Sequence, residues 1–531
     1  MKVHLAQLNP IVGDINYNKN LILNAAKKAH QNKANILVTP ELSLTGYPPE
    51  DLLLDDEFIK SCSLALIDIA KEYPKLSIVV GYPKFEKGKL YNAASVVYQK
   101  KIRVTYFKNF LPNYGVFDEK RYFSEGNQSN TFSIGQEKIG IIICEDFWVD
   151  KPIEKLIREK VDVILCINAS PFELNKQKRR IDNARTKLSG NKIKLIYLNA
   201  LGGQDDLVFD GGSFIFDGYS NVITEFPQFK EVSNVIDLSK KSLLIPSTHN
   251  KISILLDGLI LSLHDYLQKN NITKVFLGLS GGIDSALVLF IASKAIDVEN
   301  IFAVMMPSKY TSKASLDDAQ ELAKSIGVNY QIKPIDSLFS GLKNTFKKDF
   351  EGLPEDIAEE NFQARIRGIM LMGFANKFKG MVLATSNKSE LAVGYSTIYG
   401  DMVGGFCVLK DVPKTLAYKI AKHINREKNI IPNRIITREP TAELKFDQTD
   451  QDSLPSYDIL DAIIDLYIEQ KISPSEIVKK GFNSQIVKKV VELIHCNEFK
   501  RRQSAPGPKI TSKAFTLDRR FPITNRYKPK I

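Results

Sequence analysis

Gly278-Leu279-Ser280-Gly281-Gly282-Ile283-Asp284-Ser285 decides how the second half of this chain folds. Lys274–Leu279 before the turn Ser280-Gly281-Gly282 reads as a strand, and Asp284–Ala295 after it as a helix. Glycines in such a turn let backbone N–H groups close around phosphate oxygens, and the helix N-terminus adds partial positive charge. Ser280 and Ser285 supply hydroxyl donors, and Asp284 is placed to hold Mg²⁺. No Gly-Lys-Ser/Thr follows, so this is not a Walker A loop, and the GxGxxG dinucleotide spacing is absent. Outward from the turn come strand Ile301–Met306, helix Lys313–Ile326, strand Tyr330–Ile335, a long helical region through Lys379 and strand Met381–Ser386. That alternation predicts a doubly wound parallel sheet whose ligands bind beyond the carboxyl ends of its strands.

Upstream the runs are shorter. Strands are expected at Lys2–Leu8, Asn35–Pro40, Ser77–Gly81, Ala93–Tyr98, Ile139–Cys144, Val161–Asn168 and Ile193–Asn199. Helices are expected at Asn18–Asn32, Glu57–Tyr73 and Lys176–Ser189. A hairpin follows, with Leu207–Asp210 and Ser213–Phe216 joined by Gly211-Gly212. Together these make a layered α/β domain. The stretch Leu238–Asn250 loses periodicity and reads as a linker, dividing the chain into residues 1–243 and 244–531. The Pro- and basic-rich end, Lys500–Ile531, is expected to wrap over the surface.

Composition narrows the class. A chain of 531 residues exceeds one compact domain, and 44% hydrophobic with 25% charged residues excludes wholesale disorder. Five cysteines without CxxC spacing argue against a disulfide framework or structural zinc. With no signal-peptide core and no apolar run near the roughly 18 residues of a membrane span, the protein reads as cytoplasmic. The net charge of +12 suits anionic partners, though a Lys-rich solvated surface is the favoured account of it until a specific site is found.

Three strand ends in the first half carry chemistry. Thr39-Pro40-Glu41-Leu42 brings a carboxylate, Lys108-Asn109-Phe110-Leu111-Pro112-Asn113-Tyr114 an amine, and Ile143-Cys144-Glu145-Asp146-Phe147-Trp148 a thiol. A carboxylate beside a thiol takes its proton, and a lysine ammonium stabilises thiolate and developing oxyanion. Singly, Cys144 would read as a buried small hydrophobe, as Cys166 does. The joint pattern resembles the nitrilase (carbon–nitrogen hydrolase) superfamily, which implies an N-terminal αββα sandwich. The resemblance makes Cys144 the nucleophile, Glu41 the general base and Lys108 the third catalytic residue. It makes Glu119 a supporting acid and matches Tyr114, Ser170 and Lys176 to positions that hold glutamine. Asn175 stands where many relatives have Gly before the lysine.

The Gly278–Ser285 turn resembles the SGGxDS loop of the pyrophosphate-loop ATPases, which split ATP between its α and β phosphates. Asn361-Phe362-Gln363-Ala364-Arg365, Ala384-Thr385-Ser386-Asn387-Lys388-Ser389-Glu390 and Gly394-Tyr395-Ser396-Thr397-Ile398-Tyr399-Gly400-Asp401 are similar to segments of NAD synthetases. The resemblance puts ATP on Gly278, Leu279, Ser280, Gly281, Gly282, Ile283, Asp284, Ser285 and Thr385. It puts deamido-NAD on Asn361, Glu390 and Lys500, and Mg²⁺ between Asp284 and Glu390. Glu443-Leu444-Lys445-Phe446-Asp447-Gln448-Thr449-Asp450 resembles a mobile loop over the phosphates, with Lys445 where many relatives have Arg. The order of the halves resembles the glutamine-dependent NAD synthetase family, from Gln7 through Arg501-Arg502-Gln503 to Thr524-Asn525-Arg526.

This resemblance implies a ligase of NAD biosynthesis: a glutaminase whose ammonia amidates an adenylated nicotinate. Glutamine, ATP and deamido-NAD are its partners, Mg²⁺ accompanies ATP, and no redox cofactor, nucleic acid or membrane is involved. A homo-oligomer is implied, and an ammonia channel is expected because ammonium has no lone pair. Two alternatives stay open: a related amidating or thiolating enzyme acting on tRNA, and an amidohydrolase with a nucleotide-binding regulatory half.

Overall fold

Apolar runs without polar alternation, such as Ile141-Ile142-Ile143, belong to strands buried on both faces. The computed structural model describes residues 1–219, 221–239, 250–426, 428–446 and 448–528. The expected linker falls mostly outside the described residues, as do Asp447 and residues 529–531. The chain divides into two units, Met1–Gln204 with Val208–Asn250, and Asp205–Leu207 with Lys251–Ile531.

The first unit holds two six-stranded sheets. One sheet consists of β1 (Lys2–Gln7), β2 (Ile36–Val38), β3 (Ser77–Glu86), β4 (Lys89–Tyr98) and β5 (Lys101–Phe107), with β14 (Val232–Asp237) on the outer side of β1. The other consists of β6 (Thr131–Ile134), β7 (Glu137–Ile143), β8 (Val163–Asn168), β9 (Lys194–Asn199), β12 (Phe214–Phe216) and β13 (Val222–Glu225). Their inner faces share one core, where Val3, Leu5, Val38 and Val79 meet Ile141, Ile143, Val163 and Leu165. On the first sheet's outer face, Ile22 and Ala26 of Ile15–Gln31 pack with Leu66 and Ile69 of Asp56–Glu72. Ile153 and Leu156 of Asp150–Arg158, with Ala184 and Leu188 of Lys176–Leu188, cover the second. This is the αββα sandwich implied by the first-half motifs. Each buried Val, Leu or Ile among these contributes about 1.5–3 kcal/mol.

The expected hairpin at Gly211-Gly212 does not form. β11 (Leu207–Asp210) pairs back on β10 (Leu201–Gln204), whereas β12 runs antiparallel to β9. Gly211 therefore switches the chain from a two-stranded ribbon into the large sheet. It does so at φ 63°, where a Cβ would lie 2.2 Å from the Gln7 side chain. Neither alternation nor the Gly-Gly pair distinguishes such a switch from a turn.

The second unit holds a parallel sheet built from β15 (Val275–Gly278), β16 (Ile301–Met305), β17 (Asn329–Ile332), β18 (Met381–Ala384) and β19 (Phe406–Cys407). Its order, β17-β16-β15-β18-β19, reverses at β15, so the turn after β15 opens at the switch point. Helix Ile283–Ala295 is buried through Ala286–Ala292 and apolar all round, as a central helix must be. The long helical region divides into Asp336–Phe346 and Ile357–Phe378. Pro354 lies between them, and Asp356 caps the second by accepting from Ala358 N while Glu359 reaches back.

The C-terminal end departs from its expected surface path. Phe515 and Phe521 enter a core with Leu460, Ile463, Val487 and Val490, and Ile510 and Ala514 are buried. Lys388 pins this strap. Its Nζ lies 2.7 Å from Glu469 Oε1, 2.6 Å from Thr511 Oγ1, 2.9 Å from the Lys513 carbonyl and 3.0 Å from Asp411 Oδ1. Among the described residues, no helix is long and apolar enough to cross a membrane.

Candidate active sites

Three strand ends supply the first centre. Glu41 follows β2, Lys108 follows β5 and Cys144 follows β7, and all three are buried. Lys108 Nζ donates to Glu41 Oε1 and to Glu119 Oε1, each at 2.7 Å. Glu41 also accepts from Asn92 Nδ2 and Ala169 N, both at 2.8 Å, and the Tyr47 hydroxyl donates to Glu119 Oε1 at 2.9 Å. Burial alone would lower Lys108, but Glu119 and Glu41 outweigh it and hold its ammonium charged. Burial pushes the Glu119 carboxyl up to about 7, Glu41 adding to the shift and Lys108 opposing it. Burial, then Glu41, holds the Cys144 thiol well above its ordinary value. A thiol neutral at rest needs a base when it attacks.

Cys144 sits at φ 46°, a left-handed conformation costing about 1–2 kcal/mol. Asp146 braces that turn. Its Oδ1 accepts from Asn109 N at 3.1 Å and Phe110 N at 2.9 Å, and its Oδ2 from the Tyr106 hydroxyl at 2.8 Å and Ile143 N at 3.0 Å. One carboxylate thus ties the lysine's strand end to the cysteine's. Asp146 was visible in Cys144-Glu145-Asp146, but its partners are long-range and leave no trace in spacing.

The three side chains expected to hold glutamine differ in their surroundings. Tyr114 is 57% exposed, and its hydroxyl donates to both Glu145 carboxylate oxygens at 3.1 and 3.0 Å. Ser170 is buried, donating its N–H to Asn199 Oδ1 at 2.9 Å. Its carbonyl and hydroxyl accept from Arg180 Nη2 at 2.9 and 3.2 Å. Arg180 is itself fully buried and paired with Asp210 at 2.9 Å. Sequence reading missed it, because Lys178-Arg179-Arg180 looks like a solvated helix face. Lys176 opens helix Lys176–Leu188, half-buried, after Asn175 at φ 69°. That angle explains why Gly and Asn interchange there, since both tolerate the left-handed region.

The second centre surrounds Gly278–Ser285. Gly281, at φ 78°, lies so close to Ser315 that a Cβ would come within 2.5 Å of its carbonyl. The Ser280 and Ser285 hydroxyls are 3.1 Å apart and hold the turn from inside. Two cavities of about 920 and 1000 Å³ adjoin it, sharing Ser280, Thr385, Asp401 and Glu443. The first is lined by Gly281, Gly282, Asp284, Glu390 and Lys414, the second by Met306, Arg367, Leu371, Leu383 and Val403.

Lys414 Nζ lies 2.5 Å from Asp284 Oδ2 and 3.1 Å from Glu390 Oε1. Burial raises Glu390, with Lys414 opposing and Asp284 adding. Two carboxylates converging on one cation position suit Mg²⁺, which takes one or two carboxylates together with phosphate oxygens. Among the described residues, no group of three or more His, Cys, Asp or Glu could hold a metal ion. Lys414 and Arg367, whose Nε donates to the Met306 carbonyl at 2.9 Å, escaped sequence reading because neither lies in a recognisable motif.

Residues 2–241 match the carbon-nitrogen hydrolase family and residues 255–504 the NAD synthase family. A glutamine-dependent NAD(+) synthetase from Acinetobacter baylyi is 45% identical over 536 residues, covering 99% of both chains. The chain belongs to the glutamine-dependent NAD(+) synthetase family. Another member, from Thermotoga maritima, is 43% identical over 574 residues, covering 100% of both chains. The solved structure of the Acinetobacter baumannii enzyme in complex with ADP is 42% identical, with TM-score 0.81 over 99% of this chain and 98% of that one.

Of the remaining NAD synthetase segments, Ala364, Tyr395, Gly400, Asp401, Glu443 and Leu444 line one or both cavities, whereas Asn361 and Lys500 line neither. Asn361 Oδ1 accepts from Thr397 Oγ1 at 2.7 Å, and Lys500 Nζ donates to the Gly394 and Ser396 carbonyls at 2.6 and 2.8 Å. Both therefore meet the segment Gly394–Asp401. In the run resembling the family's mobile loop, Glu443 Oε1 accepts from the Ser312 and Ser315 hydroxyls at 2.8 and 2.7 Å. Lys445 is exposed and lies 3.9 Å from Glu360.

Proposed function

We propose that this chain amidates deamido-NAD to NAD at the expense of ATP, with nitrogen from glutamine, releasing AMP, pyrophosphate and glutamate as the last step of NAD biosynthesis. The observation that carries the reading is the Lys108 ammonium buried between Glu41 and Glu119 beside the Cys144 thiol. Cys144 attacks the side-chain amide of glutamine while Glu41 takes its proton, and Lys108 stabilises the oxyanion. Glu41 returns the proton to the leaving nitrogen, ammonia departs, and water hydrolyses the thioester to glutamate. Tyr114, Ser170 and Lys176 hold the glutamine.

At the other centre the nicotinate carboxylate of deamido-NAD attacks the α phosphate of ATP, pyrophosphate leaves, and ammonia displaces AMP. The Gly278–Ser285 turn and Thr385 bind ATP, and Asn361, Glu390 and Lys500 bind deamido-NAD. Asp284 and Glu390 would hold Mg²⁺, which when bound neutralises phosphate charge. Lys414, bridging both carboxylates, holds them in place until then. Incubation with glutamine, Mg-ATP and deamido-NAD tests the reading: NAD, AMP and glutamate should appear in equal amounts. Glutamate without AMP would favour the amidohydrolase alternative.

Ammonia released in water becomes ammonium and loses its nucleophilic lone pair, so it should pass between the centres within the protein. An ammonia-trapping enzyme added to the assay should therefore leave the NAD yield from glutamine unchanged, and a fall in yield would refute the channel. The five unpaired thiols suit a reducing compartment, and we place the enzyme in the cytoplasm as a homo-oligomer.

The raised Glu119 carboxyl adds a pH dependence. Above about 7 it is charged and shares the Lys108 ammonium, freeing Glu41 to act as base. Glutaminase kcat/KM should rise through that pH, and Glu119→Gln should remove the rise. Stability runs the other way: a carboxyl raised by burial favours folding below its ordinary value of 4.5 and loses that contribution as pH climbs through about 7. Urea midpoints against pH, flatter in Glu119→Gln, check this.

A further inference from the structure

Helix Lys414–Ile424 begins on the lysine that bridges Asp284 and Glu390, yet it carries no cap of its own. Helices Lys313–Ile326, Ile357–Phe378 and Ser484–Cys496 are each capped by the residue before them, Ser312, Asp356 and Asn483. Pro413 stands before Lys414, and its ring offers no acceptor to the first-turn N–H groups. A carboxylate from another helix takes that role. Asp461, in helix Tyr457–Ile464, accepts from Thr415 N on Oδ2 at 2.9 Å. Its Oδ1 accepts from the Ser389 hydroxyl, and the oxygen of that hydroxyl accepts from Lys414 N at 2.8 Å. Ser389 is fully buried and directly precedes Glu390. One carboxylate thus holds Ser389 beside Glu390 and Thr415 beside Lys414, at a helix N-terminus that favours its negative charge. One helical turn before Asp461, the Tyr457 ring covers Lys414, its centroid 5.1 Å from Nζ. Leu460, Ile463 and Ile464 of the same helix pack with Ala392 and Val393 of Lys388–Val393, the helix that carries Glu390.

We propose that Asp461 is a positioning residue of the synthetase centre: through Ser389 and the first turn of helix Lys414–Ile424 it sets where Glu390 and Lys414 face Asp284. The inference rests on the reading above that Asp284 and Glu390 hold the cation accompanying ATP. Asp461 lines neither cavity, so its effect arrives through the two side chains it places.

Two variants of the full chain test this. Asp461→Asn keeps the side chain's size but offers one acceptor to two donors, Thr415 N and the Ser389 hydroxyl. Ser389→Ala cuts the link on the Glu390 side alone. Mn²⁺ binding is read from the EPR signal of the free ion, with ATP present and deamido-NAD absent. Each variant should weaken it about tenfold, the scale of one lost charge-assisted hydrogen bond, and NAD synthesis from ammonium chloride should fall in parallel. The double variant should bind Mn²⁺ no more weakly than the weaker single one, because both changes cut the same relay. A merely structural role would lower the urea midpoint and leave the Mn²⁺ affinity of the folded enzyme at its wild-type value. That result overturns the assignment, as does a double variant whose losses multiply. If Asp461→Asn does not fold, Ser389→Ala decides by the same reading. Wild-type enzyme that binds no Mn²⁺ with ATP, or makes no NAD from ammonium, refutes instead the reading on which the inference rests.

Discussion

Cys144→Ala should abolish NAD formation from glutamine while formation from added ammonium salt continues. Glu41 and Lys108 remain buried and paired, so the centre keeps its charge balance without its sulfur. Replacing a buried thiol with a methyl group costs about 1 kcal/mol, too little to unfold a chain of this size. Catalysis loses its covalent route altogether, and knocking out a nucleophile typically costs a thousandfold or more, about as much as removing its whole constellation. NAD measured with glutamine and, separately, with ammonium chloride gives the comparison. Loss of both activities would mean that the two centres are not separable.

Asp284→Asn should have the opposite selectivity. It should cut synthesis from either nitrogen source by about a hundredfold or more, the scale of one removed electrostatic stabiliser. Lys414 would keep only Glu390, and the cation position between the two carboxylates would lose half its negative charge. Asn387, which donates to Asp284 Oδ1 at 3.1 Å, can still bond an amide oxygen, so the turn should keep its shape. Pyrophosphate release from ATP and deamido-NAD, measured without any nitrogen donor, isolates the affected step. Undiminished release would show that the Gly278–Ser285 turn is not where the phosphates are held.

Residues at strand ends were legible because their chemistry is local. Glu41, Lys108 and Cys144 each follow the end of a strand, and the glycines after β15 have few uses other than admitting an anion. Residues that act by reaching across the fold were not legible. Arg180 and Asp210 are 30 positions apart and meet only because β11 folds back beside the helix that carries the arginine. Asp146 draws on Tyr106, Asn109 and Phe110, and Lys414 reaches 130 positions back to Asp284. The same limit explains the two misread segments. Gly211-Gly212 permits a hairpin or a change of sheet with equal ease, and only the neighbour, Gln7, decides. The C-terminal strap looks surface-bound by composition, yet Phe515 and Phe521 outweigh its lysines once a helical core lies beside them.

The oxygen cage around Lys388 has a consequence for how this protein is made. Lys388 lies one residue after Asn387, which orients Asp284, and two before Glu390, but two members of its cage, Thr511 and Lys513, leave the ribosome among the last residues of the chain. The two sheets that carry Glu41, Lys108 and Cys144 are complete once β14 has paired with β1, at about residue 237. A nascent chain would therefore have every strand of those sheets well before the cage around Lys388 could close. A polypeptide cut short by a few dozen residues would keep Asp411 and Glu469 on the Lys388 ammonium but lose Thr511 and Lys513, and with them the strap that closes over it.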